Sequence, residues 1–332
     1  MDTRADGVLS RRSFIGGVLG VAAQASGAPN APSAETSGTE VAHGPLGKVV
    51  GTLPPGRYDM HIHVANHGKF GEPNPDELWR EMREAGLSGG CLFSASCNRL
   101  AGNRPPIIPK PEDAMDNCIA WASGSPTIYP FYYIDPGAPD ALELVDMAVE
   151  KGFYGFKVIR SSARPCDART IPVYAKIAAS GKPLVFHSGI LWDALPSSEY
   201  FRPVLFEGLL EVPGLRFALA HVSWPWHDEC LAVFGKIYHA SARRGTEVPK
   251  MFIDTTRGTP EIYRKEVLSK IAAFSWHRGR IMFGTDCVVS HYNVKNCRHA
   301  IDCDDAIFGE LGLDAQATDR YYRGALQDFL FG

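Results

Sequence analysis

From residue 56 to the C-terminus, short runs rich in β-branched and aromatic residues alternate with longer helical patterns. The eight runs cover residues 57–63, 90–94, 127–134, 155–159, 183–187, 215–221, 251–255 and 280–286. Their ends lie about 32 residues apart on average, close to the length of one βαβ repeat. Strands that alternate with helices form parallel sheets, and eight such units close into a barrel. The sequence therefore predicts an α/β fold, a (β/α)8 TIM barrel that forms a single domain over residues 52–332.

A doubly wound open sheet is the alternative arrangement of these elements. Its first strand should lead into a glycine-rich phosphate loop, but here His61-Ile62-His63 stands at that place. The helical segments also have recognisable starts, because residues 74–77 (Asn-Pro-Asp-Glu) supply an N-cap, a proline and a reciprocal glutamate. Within residues 140–151, a leucine and two valines at positions 142, 145 and 149 predict one apolar stripe that faces the sheet.

The N-terminal segment has the features of a targeting signal. Arg11 and Arg12 directly precede a mildly apolar run at residues 14–25, and this arrangement resembles a twin-arginine export signal. We expect a signal peptide at residues 1–25, a disordered, flexible linker at 26–51, and export to the periplasm by the twin-arginine machinery. An N-terminal membrane anchor is the alternative. However, a stable span needs about 20 apolar residues, and this run is shorter and interrupted by glycines.

Charge and cysteine content exclude several classes of protein. The chain has 34 basic and 37 acidic residues, so it has no excess of positive charge with which to bind nucleic acid, and a small-molecule substrate is favoured. None of the eight cysteines forms a C-x-x-C pair, which argues against a zinc ribbon or a thioredoxin-type site. The cysteines are either buried free thiols or, after export, partly oxidised to disulfides. For such oxidation, Cys297 and Cys303 are the closest pair in sequence after Cys91 and Cys97. The sequence leaves open whether the protein forms a homodimer.

Metal-ligating side chains stand at the ends of several predicted strands. His61 and His63 end the first strand, and the period of two residues places them on the same side. His187, His221 and Asp286 end the fifth, sixth and eighth strands. Because a parallel barrel gathers these ends at one rim, we expect a cluster that binds one divalent metal ion. Imidazole and carboxylate groups suit Zn²⁺, with Mn²⁺ or Fe²⁺ as alternatives.

Five motifs carry a resemblance to a known family. They are Asp59-x-His61-x-His63, Gly155-Phe156-Lys157, Phe186-His187-Ser188-Gly189, Ala220-His221-Val222-Ser223-Trp224-Pro225-Trp226 and Phe283-Gly284-Thr285-Asp286. With these motifs, the chain from about residue 57 onward resembles the amidohydrolase superfamily. Within it, the similarity is to the amidohydrolase-related (amidohydrolase 2) branch of metal-dependent TIM-barrel hydrolases, which also includes zinc decarboxylases. Ser223 departs from the pattern, since the family often has glycine there.

The resemblance implies a role for each strand-end residue. His61, His63, His187 and Asp286 would hold one catalytic metal ion. Asp286 would also accept a proton from the attacking water and pass it to the leaving group, and His221 would face the water or the substrate carbonyl. Asp59 is interpreted as a supporting partner of these ligands.

Lys157 and the loop residues define the substrate side of the predicted site. In dinuclear members of the superfamily a carboxylated lysine bridges two metal ions, and Lys157 would either do this or bind a substrate carboxylate. His67, Arg160, Trp224 and His291 are further candidates for substrate contacts, and their aromatic and cationic character suggests an organic anion or an aromatic ring.

The predicted function is hydrolysis of a C–O or C–N bond in a small lactone, ester or amide. The first alternative is a decarboxylase or hydratase that uses the same metal site. The second is an exported barrel that binds a metal ion or ligand without turnover.

Overall fold

Nine parallel strands form one sheet in the computed structural model, which describes residues 42–64, 72–96, 110–193, 195–244, 248–274 and 279–332. The strands are β1 (Asp59–His63), β2 (Gly90–Phe93), β3 (Ile128–Tyr133), β4 (Gly155–Val158), β5 (Leu184–Phe186), β6 (Arg216–Leu219), β7 (Lys250–Asp254), β8 (Ile281–Met282) and β9 (Cys287–Val288). Consecutive strands are neighbours from β1 to β8, and β9 pairs with the other edge of β1. All of these pairings are parallel, as in repeated βα units.

The segment between β8 and β9 closes the sheet into a barrel. The Met60 amide donates to the Phe283 carbonyl at 2.8 Å, and the Asp286 amide donates to the His61 carbonyl at 2.9 Å. The eighth predicted strand therefore meets the first one, and the TIM-barrel prediction is confirmed. The structure divides that eighth strand because Asp286 has a φ of 63°, which is incompatible with a continuous strand.

Helices alternate with the strands and follow the last of them. They are α1 (Pro75–Glu84), α2 (Pro111–Ala122), α3 (Ala141–Glu150), α4 (Ile171–Ala179), α5 (His227–Arg244), α6 (Glu261–Ala272), α7 (Val294–Glu310), α8 (Ala315–Asp319) and α9 (Ala325–Phe331). A 3-10 helix, Pro203–Glu211, connects β5 to β6. The start of α1 is confirmed, because the Asn74 side chain accepts from the Glu77 amide at 3.3 Å. None of the described helices is long and apolar enough to cross a membrane.

The apolar face of α3 differs from the predicted stripe. The buried residues are Ala141, Leu144, Val145 and Ala148, whereas Leu142 is 44% exposed. The buried face is therefore rotated relative to the predicted stripe, and Val145 belongs to both.

Residues 42–51, which the sequence analysis assigned to the linker, pack on the barrel. His43 and Val49 form an antiparallel bridge. The buried Lys48 ammonium donates to the Ala122 and Ser125 carbonyls at 2.5 and 2.6 Å. This segment is therefore tied to the end of α2, and the packed part of the chain extends at least to residue 42.

The barrel interior is filled by large side chains at the end away from the strand-end histidines. Phe329 of α9 stacks against Phe131, with ring centroids 6.4 Å apart, and contacts Phe252 edge-to-face at 5.1 Å. Helix α9 thus closes one end of the barrel. The carboxyl ends of the strands remain at the opposite end, where polar side chains converge.

Candidate metal centre

Three of the four predicted metal ligands converge on one point. The Nε2 atoms of His61 and His63 lie 3.1 Å apart. Asp286 Oδ1 lies 3.2 Å from His63 Nε2 and 3.5 Å from His61 Nε2. One ligand atom from each residue falls within 4.8 Å of the others, a spacing that a single metal ion can bridge.

His187 and His221 continue this cluster along the rim. The His61 and His221 ring centroids are 5.1 Å apart, and those of His221 and His187 are 4.9 Å apart. His187 lies outside the three-residue group, but its Nε2 atom is buried and has no hydrogen-bond partner among the described residues. A buried polar atom without a partner is unfavourable, so its position in the cluster fits a fourth ligand atom.

The protonation states of the imidazoles suit metal binding. Burial, reinforced by neighbouring positive charges, lowers the pKa of His61 and His187 well below the usual range. Burial also lowers the pKa of His221 to about 4. At neutral pH these rings are therefore uncharged, which is the form of histidine that ligates metals. The donor set of this cluster, imidazole nitrogens with one carboxylate, fits a divalent transition metal.

Asp254, at the end of β7, positions His61 and was missed by the sequence analysis. Its fully buried Oδ2 lies 2.5 Å from His61 Nδ1, and its Oδ1 accepts from the Thr256 amide at 2.8 Å. When His61 Nδ1 donates a hydrogen bond to this carboxylate, Nε2 carries no proton, and its lone pair is directed at His63 and Asp286. Carboxylate partners of this kind orient metal-bound histidines in proteins. The one available signal was a single acidic residue ending the apolar run Met251–Ile253.

Asp59 supports the backbone of the same site. It accepts from the His61 amide at 2.9 Å, from the Thr285 amide at 3.0 Å and from the Thr285 hydroxyl at 2.5 Å. These bonds join the end of β1 to the turn that carries Asp286. Asp59 therefore holds two ligand-bearing segments together, in agreement with its interpretation as a supporting residue.

Two strand ends adopt left-handed backbone conformations at the site. His221, Val222 and Ser223 have φ values of 60°, 45° and 58°, so the sixth strand ends at Leu219, two residues before its predicted end. Ser223 accepts the conformation for which the family often uses glycine. Gly258 packs against His221, and a Cβ atom there would lie 2.8 Å from the imidazole Cγ and Nδ1 atoms. Left-handed conformations of residues other than glycine are strained, and they persist where the surrounding packing enforces them, commonly at functional sites.

A cavity of about 150 Å³ opens above the cluster. Its polar floor is formed by His61, His63, Lys157, His187, His221 and Asp286, and its walls by Ile159, Ile190, Leu191, Trp192, Arg257 and Gly258. A polar floor below largely apolar walls is typical of small-molecule sites. The size and lining of the cavity therefore fit a small substrate.

Lys157 belongs to this floor. Its side chain is buried, with Nζ 3.3 Å from His61 Nε2 and 4.6 Å from the centre of the Phe93 ring. Burial lowers the pKa of Lys157 to about 8, although the carboxylates of Asp254 and Asp286 oppose the shift. This position is compatible with both predicted roles, metal bridging after carboxylation and contact with a substrate anion.

The predicted substrate residues are placed differently. Arg160 is paired with Asp193 at 2.6 Å, packs on the Tyr200 and Phe201 rings, and is not among the residues that line the cavity. Trp224 contributes indirectly, because it stacks on the cavity residue Trp192 with ring centroids 6.5 Å apart. His291 lies exposed beside Ser290 and also does not line the cavity. His67 lies outside the described residues.

At the carboxyl ends of its strands the barrel carries a cluster that could hold a metal ion. The family model described as Amidohydrolase matches residues 58–317, and the chain belongs to this family. The superfamily is metal-dependent, and the family match supports an enzyme of this superfamily.

Solved structures agree with this fold. A 2,6-dihydroxybenzoate decarboxylase is 16% identical over 85% of this chain and 99% of its own, with a TM-score of 0.53. A dihydroorotase from Campylobacter jejuni is 13% identical over 82% of each chain, with a TM-score of 0.50. The comparison with curated proteins found no match. At these identities the structural likeness supports the fold alone.

Proposed function

We propose that the chain is a metal-dependent hydrolase that cleaves a C–O or C–N bond in a small organic anion, such as a lactone, an ester or an amide. The observation that carries this proposal is the convergence of His61, His63 and Asp286 at the floor of a cavity that also presents an arginine side chain. These three residues, with His187, would hold one divalent ion, of which Zn²⁺ is the first choice. Such an ion acts as a Lewis acid and lowers the pKa of a water molecule beside it.

Asp286 would transfer the proton from the attacking water to the leaving group. Burial alone would raise the pKa of Asp286, but the hydrogen bond with His63 and the electrostatic influence of His221, His63 and Lys157 outweigh burial and lower it. The group is therefore a carboxylate at neutral pH, and its side chain is 30% exposed toward solvent. It can take a proton from the attacking water and deliver it to the leaving group.

His221 can act on the carbonyl of the substrate. Because its pKa is about 4, the ring is neutral at pH 7 and offers one N–H as a hydrogen-bond donor. A neutral donor at this position stabilises the negative charge that develops on the carbonyl oxygen, which is worth a few kcal/mol in comparable sites. Gly258 and the left-handed turn at 221–223 hold the ring in place.

Arg257 supports the choice of an anionic substrate. It lines the cavity, and its buried Nε and Nη2 atoms form no hydrogen bond among the described residues. The Glu261 carboxylate is an ion-pair partner at a longer distance, 3.8 Å from Nη2. A guanidinium with free N–H groups binds carboxylates through paired hydrogen bonds. This residue follows β7 in the sequence Thr-Thr-Arg-Gly, and no sequence pattern pointed to it.

Turnover in water labelled with oxygen-18 tests the reaction. Protein loaded with Zn²⁺ or Mn²⁺ is offered a panel of lactones, esters, amides and carboxylic acids, and the products are analysed by mass spectrometry. We expect one labelled oxygen atom in the product. Release of CO₂ without incorporation of the label would establish a decarboxylase instead. Binding of panel members without turnover of any would favour the non-catalytic barrel.

Two variants test the assigned roles, each with a matched control. Asp286→Asn should lower kcat by at least about 100-fold. Asp116→Asn, which removes only a surface pair with Lys151, should leave kcat unchanged. Arg257→Met should raise KM for an anionic substrate much more than for its neutral methyl ester. The exposed Arg164→Met is the control for that variant. Equal effects on both substrates would remove Arg257 from anion binding.

We also propose that residues 1–25 direct export through the twin-arginine pathway. Residues 1–41 lie outside the described residues, so this proposal depends on Arg11, Arg12 and the apolar run that follows. Fractionation of cells and N-terminal sequencing of the mature protein test it. We expect a periplasmic protein that begins near residue 26, and Arg11→Lys with Arg12→Lys should block export. A mature protein that retains Met1 in the cytoplasm would contradict the proposal.

A further inference from the structure

Two cysteines meet beside the metal-binding cluster. Cys287 begins β9 directly after Asp286, and Cys297 lies in the first turns of α7. Their Sγ atoms are 3.1 Å apart. Cys297 is buried, whereas Cys287 is partly exposed. The closest pairs in the sequence had suggested Cys303 as the neighbour of Cys297, but the fold brings Cys287 to it instead.

The separation is short enough for a covalent bond to form with little movement. A disulfide has an S–S length of about 2.05 Å, so the two sulfur atoms must approach by roughly 1 Å. Nine residues, 288–296, lie between the two cysteines and include a short 3-10 turn, Val289–His291. The two segments are thus already held together in the fold.

We propose that Cys287 and Cys297 are a thiol–disulfide pair that is oxidised by small disulfides such as oxidised glutathione. In the first step the Cys287 thiolate attacks one sulfur of the external disulfide, forms a mixed disulfide and releases one thiol. In the second step Cys297, after loss of its proton, attacks Cys287 Sγ and releases the second thiol. The two cysteines lose two electrons and two protons, and the external disulfide is reduced to two thiols.

Exposure decides the order of the two steps. Cys287 is partly exposed and can be reached from solvent, while Cys297 is buried with its Sγ 3.1 Å from that of Cys287. The new bond would join the strand that follows Asp286 to α7. Oxidation would therefore restrict the backbone next to a metal-binding residue. The proposal does not depend on the proposed function, because its readout is the covalent state of the two cysteines.

Peptide mapping of the full chain tests the pair. Trypsin places Cys287 in residues 281–295, Cys297 in 296–298 and Cys303 in 299–320, so each cysteine has its own peptide. The protein is reduced, exposed to oxidised glutathione, blocked with iodoacetamide under denaturing conditions and digested. We expect the 281–295 and 296–298 peptides to be linked, with two hydrogen atoms fewer than the separate thiols, and to be separated by dithiothreitol.

Variants test the order of reaction. In Cys297→Ser, glutathione should remain attached to Cys287, because the second thiol is missing; Cys297→Ala serves if the serine variant does not fold. In Cys303→Ser, the matched control, the linked peptide should form as in the wild type. Alkylation of both Cys287 and Cys297 in the wild type after oxidation, or a link between Cys297 and Cys303, would overturn the proposal. Absence of glutathione on Cys287 in both Cys297 variants would overturn the assigned order.

Discussion

Asp254→Asn isolates the contribution of one hydrogen bond to metal affinity. The asparagine oxygen can still accept from the Thr256 amide, so the local turn keeps its 2.8 Å bond. The NH₂ group, however, replaces the carboxylate oxygen that lies 2.5 Å from His61 Nδ1. Because the amide nitrogen only donates, His61 must accept at Nδ1 and carry its proton on Nε2. That proton then occupies the atom that faces His63 and Asp286.

The magnitude follows from the kind of bond that is lost. A hydrogen bond to a charged group contributes about 1.5–3 kcal/mol, and each 1.4 kcal/mol corresponds to a factor of ten in affinity. Removal of a carboxylate partner of a metal-binding histidine lowers metal affinity by roughly 10–100-fold. We therefore expect the Kd for Zn²⁺ to rise by about that factor in Asp254→Asn, while the fold is retained.

Competition against a chromophoric chelator measures this change directly. Circular dichroism establishes that the variant is folded, and Asp116→Asn, a surface carboxylate paired with Lys151, is the control that should bind metal like the wild type. If Asp254→Asn bound Zn²⁺ as tightly as the wild type, His61 would not depend on Asp254 for its orientation, and the reasoning would be refuted.

Three further predictions concern packing and protonation. Gly258→Ala should lower kcat at least about tenfold with little change in metal affinity, because the added Cβ would lie 2.8 Å from the His221 ring and displace it; unchanged turnover would contradict the assigned packing. Arg264→Leu should reduce the free energy of unfolding, measured by urea denaturation, by about 3–5 kcal/mol, because it leaves the buried Asp304 carboxylate without its ion pair. The double variant with Asp304→Leu should lose less stability than Arg264→Leu alone. Burial lowers the pKa of Lys48 to about 8, below the value of about 10.4 in an unfolded chain, so the unfolded state binds more protons between these values. The free energy of unfolding should therefore rise with pH across that window, by up to roughly 3 kcal/mol relative to the Lys48→Met variant. If the difference in unfolding free energy between the two proteins stayed constant with pH, the lowered pKa of Lys48 would be contradicted.

Local patterns in the sequence predicted most of the fold. Alternating strand-like and helical runs gave the eight units because short-range periodicity reflects which residues of each element are buried. The errors occurred where the tertiary structure overrides the pattern. Leu142 matches the apolar stripe of α3 but is exposed, since the buried face of the helix consists of Ala141, Leu144, Val145 and Ala148. Asp286 ends a predicted strand, but its left-handed conformation divides that strand in two.

Part of the candidate site could be predicted from the sequence, and the reason is geometric. Parallel strands in a barrel all end at the same rim, so histidines at strand ends must lie near one another wherever they occur in the chain. His61, His63 and Asp286 were predicted in this way, and the structure brings them together. The same reasoning missed Asp254 because the contact with His61 spans 193 residues and depends on which side chain of β7 faces inward at that level. It missed Arg257 because only the folded loop shows that the guanidinium reaches the cavity.

The sequence by itself determined the class of the fold and the types of residue at the rim of the barrel, because both follow from periodicity and from the order of the strands. Only the tertiary structure decided the distances and the partners. Barrel closure between β1 and the 283–286 segment places Asp286 against His61 and His63. Such contacts depend on the register and tilt of strands that are far apart in the chain, and local sequence patterns do not encode these quantities.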